Sequence, residues 1–182
     1  MEGQDKIMDV QPIERPSRKG LILRNGLIFV ALQIAIMLVT HFRRDSISDQ
    51  NMRIAVGMYL LLLAAIVVVQ LDARMRVYSG RMDFGQAFST GMIFVLFVTA
   101  LFTIFILVFY LTIGKELLAQ MITIAENSLR ANGTAEADIP ERMEFSRKIF
   151  TAPGMSIITL IGYLFFGTIM SLIGALFTQR TN

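Results

Sequence analysis

The chain contains no cysteine. That excludes disulfides, thiolate metal sites and a cysteine nucleophile, and it leaves the redox compartment open. One histidine, His41, rules out a multi-histidine metal site within a single chain. Acidic and basic side chains are nearly absent from the long apolar runs; Arg24, close to the start of the first, stands apart. Intramembrane ionisable residues mark proton and ion paths, so their scarcity argues against a proton-coupled transporter or an intramembrane protease with acid–base residues. A formal net charge of only +3 implies no broad nucleic-acid-binding face. No internal repeat and no low-complexity segment stands out. The first apolar run begins after about twenty polar residues and ends in LVTHFRRD without a small-x-small cleavage site, so it reads as a retained anchor.

What is present is apolar and concentrated. Of 182 residues, 54% are hydrophobic, and the mean hydropathy is +0.60. Soluble domains are less apolar and spread that content out; here it lies in long runs, which is the mark of a bilayer protein. Four runs are long enough to span: about 21–40, 54–71, 87–113 and 154–177. The third exceeds a hydrocarbon core of about 30 Å and must tilt or begin in the headgroups. Residues 1–19, with Pro12 and Pro16, read as a polar cytoplasmic tail. Residues 20–182 read as one four-helix transmembrane domain.

Between spans three and four, residues 114–152 form an extramembrane loop with helical periodicity. Leu118, Met121, Ile122, Ala125 and Leu129 recur on one face, flanked by Leu117. That face is predicted to lie inward or along the membrane interface, with Glu126 and Asn127 in water, and it is the candidate partner surface. Gly133 suits a left-handed helix stop, a second charged helix is predicted near 140–149, and Pro153 fits the first turn of the last span.

An even number of spans puts both termini on one side. Nine Lys and Arg fall on that side and eight on the other. The early cluster Arg15, Arg18, Lys19 and Arg24 favours termini in the cytoplasm.

Two stretches carry small residues at helix-packing spacing. In RMDFGQAFSTG, Asp83 is a suitable N-cap, and Gly85, Ala87 and Gly91 form a small face. The competing reading is a rim binding patch of Arg81, Asp83 and Gln86. In GYLFFGTIMSLIGALF, Gly162, Gly167, Ser171 and Gly174 invite a close neighbour. Gln33 and Gln70 are the polar exceptions inside spans, and interhelical hydrogen bonding is the favoured role for each. His41 is expected at the headgroups. Glu136, Asp138, Glu141 and Glu144 form an acidic group whose spacing matches no calcium loop. No metal and no cofactor is expected.

The Gly26-bearing first span, the GRMDFGQAFSTG entry to the third, the amphipathic loop and the Pro-initiated last span ending in FTQR carry a resemblance. The chain resembles a family of bacterial inner-membrane proteins, the domain of unknown function 4199, over nearly its whole length. The resemblance implies four spans and supplies no activity. The sequence therefore points to an all-α integral membrane four-helix bundle with an amphipathic helical loop. The expected role is a non-enzymatic accessory or assembly subunit. Its expected partners are membrane lipids and another membrane protein or a second copy. The competing roles are a small transporter or lipid-handling protein with an inter-helix groove, and an enzyme on lipid-linked substrates using the loop carboxylates.

Overall fold

A computed structural model describes residues 17–43 and 47–181, without the side chains of 47–55. Most of the expected N-terminal tail, residues 1–16, lies outside the described residues. Six helices follow in order: α1 (Arg18–Arg43), α2 (Ile47–Arg76), α3 (Phe84–Leu111), α4 (Lys115–Ala131), α5 (Ile139–Ile149) and α6 (Ala152–Thr178). Four of them, α1, the Val56–Arg76 part of α2, α3 and α6, are long and apolar enough to cross a membrane. The molecule is an all-α membrane bundle with two shorter helices between α3 and α6.

The helix ends follow from local chemistry. Asp83 caps α3 by accepting the Gln86 N–H at 2.8 Å, and the Gln86 side chain accepts the Asp83 N–H at 3.1 Å. This reciprocal box satisfies two orphan donors and starts α3 at Phe84, three residues before the expected span. It also occupies two members of the alternative rim patch. The helix stops at Leu111, short of the expected 113: Thr112 leaves helical geometry at φ −113° and ψ −91°, and the Gly114 N–H turns back to the Phe109 carbonyl at 2.9 Å. A Cβ on Gly114 would collide with the rings of Phe109 and Tyr110. Gly133 takes φ +77° after α4, as its position at a helix stop requires. Thr151 caps α6, with Pro153 in the first turn.

α1 borders α2 and α3; α6 borders the same two helices. So α1 and α6 face each other across the bundle. The core is apolar and comes from all four spans: Phe29 and Val30, Leu62 and Ile66, Phe94 and Val98, Ala175. The outward faces are apolar too, with Leu60, Ile104, Phe165 and Phe177 all more than half exposed. A bilayer supplies the cover that water cannot.

α4 shows the expected periodicity with a lesser burial. Leu117, Leu118, Met121, Ile122, Ala125 and Leu129 are half-buried and no α4 residue is fully buried. Leu117 and Leu118 pack on the span core, and α5 lies along α4, burying its own Ile139 and Met143. Glu126, expected in water, joins the half-buried stripe because Arg130 one turn on pairs with it at 2.7 Å.

Candidate functional site

The interior polar side chains fall into two layers. The first is built on Gln70, near the C-terminal end of α2 and fully buried. Its Nε2 donates to the carbonyls of Ala87 and Ser171, each at 3.1 Å, and its Oε1 accepts from Thr178 Oγ1 at 3.3 Å. One side chain thus ties α2 to α3 and α6 with its hydrogen-bonding capacity largely used. Ser171 adds a bond from its Oγ to the Phe88 carbonyl at 3.1 Å.

The small residues of both motifs make room for this tie. A Cβ on Gly91 would lie 2.7 Å from Gln70 Nε2 and closer still to Ser171 Oγ. A Cβ on Gly174 would collide with Gln70 Oε1. Ala87 is fully buried beside them. Gly167 instead receives the Val95 side chain, and Gly162 faces the Tyr59 hydroxyl, 3.0 Å from where its Cβ would stand. The glycines therefore admit side chains from the neighbouring helices, a glutamine among them. Gly85 does not belong with them. It is exposed, and a Cβ there would meet only its own cap, Asp83 Oδ1 at 3.3 Å. It sits in the first turn of α3, at the rim, where no other span reaches it.

The second layer is at mid-depth. Gln33 of α1 and Tyr163 of α6 reach across the bundle, Gln33 Nε2 donating to the tyrosine hydroxyl at 2.6 Å. Gln33 lies fifteen residues into α1, about 22 Å from its start at 1.5 Å per residue. The rings of Tyr59 and Phe102 pack on Tyr163, at 5.8 and 5.3 Å between centroids. Gln33 Oε1, Thr99 Oγ1 and Thr103 Oγ1 are buried without a hydrogen-bond partner among the described residues. This layer leaves acceptors and hydroxyls unmet where each polar atom of Gln70 in the first has a partner.

Around the first layer runs a charged rim that sequence reasoning did not assemble. Asp72, two residues beyond Gln70, pairs with Arg76 at 2.5 Å and Arg24 at 3.2 Å, and accepts from Asn25 at 3.4 Å. The spacing of Asp72 and Arg76, one helical turn, was a readable signal; the partners on α1 were not.

The remaining singled-out residues lie elsewhere. His41 lies in the last turn of α1, where its ring packs edge-on against Phe42 and Phe109, both at 5.3 Å. Glu136 pairs with Arg130 at 3.0 Å and Glu144 with Lys148 at 2.6 Å. Both carboxylates beside Arg130 hold its guanidinium charged more firmly than usual, Glu136 most of all. Among the described residues, no three such side chains are grouped to hold a metal ion.

No curated protein and no solved structure matches the chain. A family model does match, over residues 24–180, so the chain belongs to the protein family of unknown function DUF4199.

Proposed function

We propose that the protein is a non-enzymatic accessory or assembly subunit that binds another membrane protein. It resides in a bacterial inner membrane with both termini in the cytoplasm. The observation that supports this reading is how Gln70 is used. Fully buried, it is engaged in holding three helices together. The adaptable surface is the α4–α5 hairpin outside the spans, whose apolar stripe is half covered and which leaves Ile124 and Phe145 exposed, Phe145 at 72%. Aromatic side chains, phenylalanine among them, are enriched in protein–protein interfaces.

The test is capture from native membranes with a photo-crosslinker at position 145. A stoichiometric second membrane protein supports the reading. Adducts to lipid alone would sink it, and self-adducts would make the partner a second copy. Topology is checked separately by labelling Ser17→Cys and Ser128→Cys, each the unique cysteine in its chain; labelling from one side only would refute termini and loop on opposite faces.

A second reading is favoured by one observation. The unpartnered Gln33 Oε1 at mid-depth suits a small transporter or lipid-handling protein whose ligand enters between helices. A lipid or solute that co-purifies with the lone monomer and is lost in Gln33→Leu would favour it over the subunit reading.

A further inference from the structure

The two ends of the bundle carry different charge. At the end shared by the termini, the described residues include Arg18, Lys19, Arg24, Arg74, Arg76, Arg81 and Arg180 against two carboxylates, Asp72 and Asp83. Asp72 is already paired twice, and Asp83 is engaged as the cap of α3. At the other end, the described side chains balance: six basic ones from Arg43 to Lys148 meet six acidic ones from Glu116 to Glu144. The excess is therefore local to one rim.

Part of that excess is held in place by the backbone. Met82 donates to the Arg180 carbonyl at 3.0 Å, and Arg180 donates back to the Met82 carbonyl at 2.8 Å. This bridge straps the C-terminal tail over the turn between α2 and α3, with Met82 buried beneath it. Arg74 adds a bond from Nη1 to the Thr178 carbonyl at 3.1 Å. Arg74, Arg81 and Arg180 are thereby gathered at one corner. Arg81 and Arg180 are exposed and make no ion pair among the described residues. Just before Arg180, at the end of α6, Leu176 and Phe177 are exposed at 59% and 79%. A cationic corner bordered by an apolar, outward-facing helix end has the shape of an amphiphile's complement: phosphate above, acyl chain below.

We propose that the corner formed by Arg74, Arg81 and Arg180 binds the headgroup phosphate of an anionic phospholipid, its acyl chains lying along the end of α6. The site favours anionic over zwitterionic lipid because, among the described residues, the corner holds no free carboxylate to receive a choline or ethanolamine amine. Since the strap is made by backbone groups, neutralising the side chains leaves the fold intact.

The experiment reconstitutes the full chain into nanodiscs of phosphatidylcholine alone or mixed equally with phosphatidylglycerol. Retained lipid is then counted by native mass spectrometry. Phosphatidylglycerol should be retained selectively by the parent. Arg81→Gln with Arg180→Gln should lower that retention about fivefold per charge removed while melting like the parent in pure phosphatidylcholine. The far-end pair Arg142→Gln with Arg147→Gln should retain parental levels. If the glutamine pair misfolds, Arg81→Lys with Arg180→Lys keeps the charge and should keep the lipid. Equal retention by parent and glutamine pair overturns the proposal, and so does an equal loss in the far-end pair. Displacement of the lipid by inorganic phosphate in detergent would also overturn it, by making the corner a free-anion site.

Discussion

Gln33 and Gln70 are both fully buried in the same bundle. Gln70 reaches three partners on two helices and is received by Gly91 and Gly174. Gln33 reaches one, the Tyr163 hydroxyl, and leaves its Oε1 without a partner. A polar side chain in hydrocarbon stabilises a bundle only when its capacity is met, because an unmet buried group costs about 1–3 kcal/mol. Interhelical hydrogen bonds in membranes contribute about 0.6 kcal/mol on average, so three together amount to about 2 kcal/mol. The same residue type therefore acts as a structural tie at one depth and as a near-neutral element at another. What differs is the glycines opposite, not the glutamine.

The largest effect is expected from filling the space around Gln70. Gly91→Leu would drive carbon atoms into Gln70 Nε2, Ser171 and Ile66, and should cost about 3 kcal/mol or more in detergent unfolding, since overpacking and loss of the tie act together. Gly167→Leu meets the Val95 side chain first and breaks no hydrogen-bonded tie there, so it should cost less, about 1–3 kcal/mol, read as a lower melting temperature. If it costs as much as Gly91→Leu, the distinction between a tie and plain packing fails. Thr178→Val removes the donor to Gln70 Oε1 and leaves that buried acceptor unmet, so it should cost about 1–3 kcal/mol. Gly85→Ala should fall within about 0.5 kcal/mol of the parent, as the helix-propensity gain is offset by a tight approach to Asp83. A clear loss there would restore Gly85 to the packing face.

These contrasts mark what a reader can extract from the chain. Spans are legible because length and apolarity are local quantities, and helix ends are legible where the cap lies within three residues, as with Asp83 and Gln86 or Thr151 and Gly154. The α4 periodicity is legible for the same reason. The use of each glycine is not. Gly91 and Gly174 wait on a glutamine from a third helix, and Gln70 meets Ser171 across 101 residues. Small-residue spacing says that something approaches; it does not say whether a backbone, a valine or an amide arrives. Gly85 shares that spacing but sits at the rim beyond the reach of a neighbour. The stripe of α4 is likewise readable, whereas its half cover depends on where α5 folds back. The basic corner depends on the Met82–Arg180 strap, which no local pattern announces.

The most direct test is a side-by-side unfolding measurement of Gln70→Leu and Gln33→Leu in the same lipid or detergent. Gln70→Leu should lose about 2 kcal/mol. Gln33→Leu should change stability by less than about 1 kcal/mol in either direction, because it gives up one bond and one unpaired acceptor together. Equal losses, or a greater loss for Gln33→Leu, would contradict the claim that the Gln70 layer is what locks this bundle.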